Sequence, residues 1–573
     1  MLRMLLLAGV VVGLAQRPLS AEGPQTIAGS PAVDPRIERQ QSRDDRVERT
    51  ARLEQYVLTH AGDPQRGRKL FLDRNRLNCV VCHKVRGEGG EIGPDLSHIG
   101  GKFDRPHLLE SLIEPSRQIV EGYRTQVVAT NAGLVRSGTV TMRTKSSLTL
   151  VDSEGRPHEL SLKNIQAIRD SEVSTMPDGL IDALSAEQFT DLVAYLESLR
   201  TGAGVTPGAD VLAPLTLPEG FVVEVVAKGL DACTALETTA DGRVLICEQT
   251  GALRVVLDGK LQPEPMITLP VDSNWERGLI GVTVDPDFPR TPQVYVCYVA
   301  KSPFPHHRVS RFTVVGNRVL PESERILLEG DDQRSLGGTV PAGHQGGALH
   351  FGPDGKLYIG IGDQTESAAA QSLTTFQGKL LRIDHDGSVP TDNPLFEKTS
   401  GKYRAIWAYG LRNPFTFAFN PISNELLIND VGGKFEEVNR GVAGGNYGWP
   451  VVEHGPTEDR RFVGPIHWYP EASIGGAAFV PDDASWPPAY RGLYLFADFV
   501  HGTIQALDPN NAADVKHFAT GLRRPVDLRI AVDGSLYVLL RNAWVIDDKF
   551  QSQTGSLLRI LPPGTLPEGN DAP

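Results

Sequence analysis

The residues with the clearest chemistry are Cys79, Cys82 and His83, in the run Cys79-Val80-Val81-Cys82-His83. Two thiols at this spacing can each add to one vinyl group of a haem, and the adjoining imidazole can bind the iron. A zinc site would need a second ligand pair, and no further Cys-x-x-Cys or closely spaced His pair follows. A thioredoxin-type redox pair has no need of the adjacent histidine. The pattern predicts covalently attached haem c with His83 on the iron.

The other axial ligand follows by elimination among Met1, Met4, Met142, Met176 and Met266. The first two lie in an export leader, Met142 alternates within a strand-like run, and Met266 falls in a later domain. Met176 lies in Ser174-Thr175-Met176-Pro177-Asp178-Gly179, a rigid loop ahead of a helix. Such a loop suits a thioether presented to iron, and His/Met ligation raises the potential for electron transfer. In Gly93-Pro94-Asp95-Leu96, the proline carbonyl is placed either to accept the remaining imidazole N–H or simply to make a turn.

A second set of residues lies far along the chain. His344 sits in Gly343-His344-Gln345-Gly346-Gly347, where the glycines allow close approach of a flat ligand, and this favours a catalytic role over a structural one. Arg412 and Asn413, in Tyr409-Gly410-Leu411-Arg412-Asn413-Pro414, pair a planar cation with an amide suited to gripping carboxylates or carbonyls. Asp430-Val431-Gly432-Gly433, with Glu436 and Glu437, gathers the oxygen donors that calcium prefers. The two glutamates read equally well as solvated surface carboxylates. Cys233, Cys247 and Cys297 remain, and a bridge between the first two and three buried thiols are both open.

These residues need elements to hold them. Asp63 and Pro64 open a helix whose apolar side, Leu70, Phe71 and Leu77, delivers the chain to Cys79. Ser185 and Gln188 form a capping box for a helix with Phe189, Leu192, Val193 and Leu196 on one face. Residues 126–173 alternate apolar and polar around turns such as Asn131-Ala132-Gly133, which predicts a β insertion. Beyond a Gly/Ala/Pro/Thr-rich linker, helical periodicity nearly vanishes. Ala240-Asp241-Gly242, Pro353-Asp354-Gly355 and Val532-Asp533-Gly534 each lead into a strand-like run, the mark of propeller blades.

The expected fold is multidomain, an α-helical cytochrome c domain with a small β insertion followed by an all-β six-bladed propeller. Expected boundaries are a signal peptide over 1–21, a linker and short charged helix over 22–62, and the haem domain over 63–202. A linker follows over 203–216, then the propeller over 217–562 and a disordered tail over 563–573. Arg3 ahead of the apolar run Leu5–Ala15 marks the leader, so a periplasmic or secreted destination after its cleavage is expected. No later apolar run reaches the ~18 residues of a transmembrane helix. The formal charge of −13 argues against nucleic acid and anionic membrane surfaces.

Two family resemblances build on these motifs. Gly67-Arg68-Lys69-Leu70-Phe71, the haem motif, Gly93-Pro94-Asp95-Leu96, Leu109–Ser116, Gly122-Tyr123 and Met176-Pro177 resemble the haem-binding cytochrome c module common in planctomycete and verrucomicrobial proteins. That resemblance implies covalent haem through Cys79 and Cys82 and an electron-transfer role.

Glu276-Arg277-Gly278-Leu279-Ile280-Gly281, His344-Gln345-Gly346-Gly347, Gly410-Leu411-Arg412-Asn413-Pro414 and Gly445–Pro450 resemble the glucose/sorbosone dehydrogenase family, which uses pyrroloquinoline quinone (PQQ). This resemblance implies His344 as general base, Arg412 over the quinone carbonyls, and Glu276, Asn413 and Arg524 as cofactor contacts. It also implies that Gly432 and Gly433 offer carbonyls to calcium. There are departures: Glu276 stands where glutamine is frequent, Gly343 replaces an acidic residue, and Val500-His501-Gly502 lacks a cofactor-holding lysine.

The joint expectation is a sugar or alcohol dehydrogenase that passes electrons from PQQ to haem c and on to an external acceptor, a cytochrome or the quinone pool. The alternative is a non-catalytic carbohydrate- or protein-binding propeller tethered to the cytochrome. A peroxidase is disfavoured, because Met ligation leaves iron no open site.

Overall fold

The computed structural model describes residues 49–564, apart from 91, 121–122, 144–146, 153–154, 172, 200–214, 337–341, 453–458, 471, 484 and 542–551. The expected leader over 1–21, most of the two linkers and the tail from 565 lie outside the described residues.

The cytochrome region is built on two packed helices, α1 (Pro64–Leu72) and α5 (Ala186–Ser198). Asp63 caps α1 by accepting the N–H groups of Gln65 and Arg66, and proline occupies the first turn, where its missing donor costs nothing. Ser185 and Gln188 make the expected reciprocal capping box on α5. Phe71 lies 5.5 Å from Tyr195 between ring centroids, and Arg66 Nε pairs with Asp191 at 2.6 Å. Phe189, Leu192, Val193 and Leu196 are all buried along α5. Against this pair sit three shorter helices: α2 (Cys79–Cys82), α3 (Ile99–Lys102) and α4 (Arg105–Ile113). The insertion is a five-stranded antiparallel sheet spanning Thr125 to Asp170, with Val128, Leu148 and Leu150 fully buried.

Among the described residues, the strands between Val222 and Leu561 form six antiparallel sheets of four or five strands. Their first strands are Cys233–Thr238, Leu279–Val284, Gly346–Phe351, Pro414–Phe419, Ile474–Phe479 and Pro525–Ile530. Each first strand contacts the next, and the sixth contacts the first, so the six close a cycle. Six hydrophobic clusters fill the spaces between neighbouring sheets, which is why runs such as Leu357–Ile361 are apolar on both faces rather than alternating. The Asp-Gly phrases are hairpin turns: Gly242 donates to the Thr239 carbonyl, Gly355 to Gly352 and Gly534 to Ala531. The sixth sheet takes its fourth strand from the start of the domain, with Val222–Leu230 antiparallel to Gly555–Leu561.

Met266 is buried in the core between the first two sheets. Cys233, Cys247 and Cys297 are buried free thiols, and burial raises the pKa of each.

Candidate functional site

The haem motif forms a single helical turn, α2, with His83 as its C-cap. The His83 side chain is turned inward, and its Nδ1 lies 2.9 Å from the Pro94 carbonyl. A carbonyl only accepts, so Nδ1 carries the proton and Nε2 keeps a free lone pair for iron. Burial depresses the His83 pKa, which keeps the ring neutral, as a metal ligand must be. Gly93 is required here, because a Cβ would come within 2.6 Å of the imidazole Cε1. Burial pushes the Cys79 thiol up to about 11, the opposite of the low pKa that a redox-active Cys pair needs. The residues present therefore fit covalent haem better than dithiol exchange. Met176 is half-buried in the loop after the insertion, with its N–H on the Ser174 hydroxyl. The neighbouring Thr175 hydroxyl lies 3.4 Å from that of Thr139.

His344, Arg412, Asn413 and Glu276 of the second set meet in the six-sheet domain. His344 adopts a left-handed backbone with φ 52°, a strained state for a residue with a Cβ, costing about 1 kcal/mol. Its N–H donates to Glu276 Oε2 at 2.7 Å, which pins the turn. Its Nδ1 lies 2.7 Å from Asp363 Oδ1, and its Nε2 lies 2.9 Å from an Arg412 amino group. Guanidinium has donors only, so Nε2 must accept and the proton sits on Nδ1, donated to Asp363. Asp363 is fully buried, and Trp449 Nε1 donates to its other oxygen at 2.8 Å. Burial alone would raise its pKa, but His344, Arg412 and Trp449 together hold it below the usual carboxylate value.

Asp363 belongs to the His344 constellation, and motif reading did not single it out. Its signal is a carboxylate one glycine beyond the apolar strand Leu357–Ile361, where a buried charge demands a partner.

Arg412 is clamped on several sides. It donates to the Val431 carbonyl at 2.8 Å, its guanidinium lies 5.5 Å from the Trp449 ring centre, and its N–H goes to Asp430. Asn413 donates its N–H to Asp430 Oδ1 and accepts from the Gly346 N–H at 3.0 Å. His344, Arg412, Asn413 and Glu276 thus face one cavity, together with Gly432 and Gly433.

Arg524 is placed differently. Its guanidinium donates to the carbonyls of Gly101 at 3.3 Å and Lys102 at 3.4 Å, in the cytochrome region, and it is not among the cavity-lining residues. Glu436 is buried in the cavity wall, not solvated, and accepts the Ile474 N–H at 2.9 Å. Glu437 is half-buried. Among the described residues, no group of three or more His, Cys, Asp or Glu side chains is disposed to hold a metal ion. Gly432 and Gly433 line the cavity.

Burial pushes Glu436 up to about 8 and Asp430 up to about 7. A carboxyl whose native pKa exceeds its unfolded value near 4 stabilises the fold when protonated, and that contribution is lost as pH rises through the native value. The melting temperature without added metal or cofactor should therefore fall by roughly a few degrees between pH 5 and pH 9. Glu436→Gln should flatten that fall in a calorimetric pH series. An unchanged slope would assign the titration to other groups.

The cavity has a volume of about 530 Å³ and is lined from both regions of the chain. Gly93, Pro94, His98, Ile99 and Lys102 come from beside the haem motif, and the His344 constellation comes from the six-sheet domain. Among the described residues, five basic side chains (Lys84, Lys102, Arg412, Lys434, Arg541) line it against three acidic ones (Asp95, Glu276, Glu436). The balance suits an anionic ligand.

Each region of the chain matches a known family. The family model described as glucose/sorbosone dehydrogenase matches residues 230–544, and that of cytochrome c matches residues 64–137. The aldose sugar dehydrogenase of Escherichia coli is 30% identical over 370 residues, covering 60% of this chain and 94% of that protein. Quinoprotein glucose dehydrogenase B of Acinetobacter calcoaceticus is 30% identical over 296 residues, covering 48% of this chain and 59% of that protein. The solved apo structure of the Escherichia coli enzyme superposes with a TM-score of 0.51 at 26% identity, covering 60% of this chain and 99% of that one. On these matches the chain belongs to the glucose/sorbosone dehydrogenase family, with a cytochrome c region ahead of the family domain.

Proposed function

We propose that the protein is a PQQ-dependent sugar or alcohol dehydrogenase that hands its electrons to its own haem c and then to an external acceptor. The observation that carries this reading is the single cavity shared by the residues beside His83 and the His344–Arg412 constellation. The six sheets, with their first strands in a cycle, support a six-bladed propeller whose mouth is that cavity. When bound, PQQ supplies a two-electron acceptor and haem c a one-electron carrier.

His344 is the general base in this reading. Asp363 fixes the tautomer that leaves Nε2 basic, and a sugar hydroxyl proton would pass to that nitrogen. Arg412 must first release Nε2, since a lone pair already accepting a hydrogen bond cannot take the proton. The contact of Arg412 with the Val431 carbonyl gives its guanidinium an anchor during that exchange. Asn413 and Glu276 hold the loop on which His344 sits, through the Gly346 and His344 N–H groups. Gly432 and Gly433 are the proposed carbonyl donors to calcium, and Met176 the proposed iron ligand opposite His83. The leader-like sequence over 1–21 supports a periplasmic or secreted location.

The test is the absorption spectrum of the purified protein, with PQQ and calcium added, titrated with a panel of aldoses and alcohols. Reduction of the haem on adding substrate is the expected result. A haem unchanged by every substrate, in protein that has taken up PQQ, would overturn the enzyme reading in favour of a binding propeller. The human hedgehog-interacting protein is 28% identical over 239 residues, covering 36% of this chain and 33% of that protein.

A further inference from the structure

The helix α3, Ile99–Lys102, follows the haem motif in sequence, packs on α5 through Gly100, and meets the six-sheet domain on its other side. Gly101 lies against Val500 so closely that a Cβ would come within 2.6 Å of its carbonyl oxygen. Arg524 clamps the same turn by donating to the carbonyls of Gly101 and Lys102, and its guanidinium lies 5.7 Å from the Phe499 ring centre. Helix-end carbonyls favour a cation, so this contact is a reasoned cap rather than a chance touch. The backbone of Lys102 is therefore fixed from two directions, and its residue lines the cavity beside His344, Arg412, Glu276 and Glu436.

A lysine is ordinarily solvated, and ordering its side chain costs rotamer entropy. Here burial lowers its pKa; Arg412 adds to that effect, while Glu436 and Glu276 oppose it. Among the described residues, the cavity carries five basic side chains against three acidic ones, an excess that a polyanionic ligand complements. PQQ is a planar tricarboxylate, which is such an anion.

We propose that Lys102, carried by the cytochrome region, is a cofactor-binding residue of the six-sheet domain and sets its ammonium against a carboxylate of PQQ. The quinone site is then assembled from both regions of the chain, with α3 as one wall and Arg524 as the latch that holds that wall in place. The inference rests on the PQQ reading given above.

The experiment is equilibrium dialysis of the full-length, haem-loaded protein against PQQ in calcium-containing buffer, with free PQQ read by its absorbance. Lys102→Met is expected to raise the dissociation constant about tenfold or more, and Lys102→Arg to bring it most of the way back. The haem spectrum reports that each variant is folded. Should Lys102→Met disturb that spectrum, the comparison of Lys102→Gln with Lys102→Arg decides, with loss expected only in the former. Equal affinity in wild type and the uncharged variant would overturn the role of Lys102 and leave the PQQ reading standing. Absence of PQQ binding by the wild type would overturn both.

Discussion

His344→Ala should slow sugar-driven haem reduction by roughly 10²- to 10⁴-fold, the usual contribution of a positioned general base. The imidazole bridges the Asp363 and Arg412 side chains, with contacts of 2.7 Å and 2.9 Å. Its loss leaves Asp363 bonded to Trp449 Nε1 and to the Thr365 N–H, so the carboxylate stays partnered and the fold should survive. Asp363→Asn is the sharper companion. An amide can donate to Nδ1, which would move the imidazole proton to Nε2 and abolish the base without removing it. Its expected loss is also roughly 10²-fold or more. Stopped-flow recording of the haem band after mixing with an aldose measures both variants. Wild-type rates in either would remove His344 from the chemistry.

The second large effect concerns the other half of the circuit. Cys79→Ala combined with Cys82→Ala should leave no haem on the chain after denaturing electrophoresis, because both thioether positions are gone. With PQQ in saturating excess, which offsets any loosening of α3, oxidation of sugar with an artificial dye as acceptor should persist, since His344, Asp363 and Arg412 lie in a domain with its own six hydrophobic clusters. Reduction of an external cytochrome should stop. Dye-linked and cytochrome-linked rates measured on the same preparation separate the two halves. Equal loss of both would show that the cytochrome region is needed for the oxidation itself.

Local chemistry was the legible part of this chain. The Asp63 cap, the Ser185/Gln188 box and the Asp-Gly turns are set by neighbours within a few residues, and the structure contains each of them. The Pro94 acceptor for His83 was likewise within reach, eleven positions away. Asp363 was harder, because nothing in spacing ties it to His344; the two meet because one precedes a strand and the other follows that strand's partner in the same sheet. Lys102 and Arg524 were beyond sequence reasoning altogether. They are more than four hundred residues apart, and only the docking of α3 on the fifth and sixth sheets joins them. Glu436 illustrates a third kind of difficulty, since its neighbours in sequence fit solvent or burial equally well and only the packing under Ile474 decides.

The pairing of Val222–Leu230 with Gly555–Leu561 has a consequence for biogenesis. As the chain leaves the ribosome, the earlier strand has no partner until more than three hundred further residues have been made. Joining ends that distant is entropically slow and leaves a bare strand edge open to aggregation meanwhile. A chaperone that shields Val222–Leu230 during synthesis or translocation would raise the yield of active protein without altering the finished molecule.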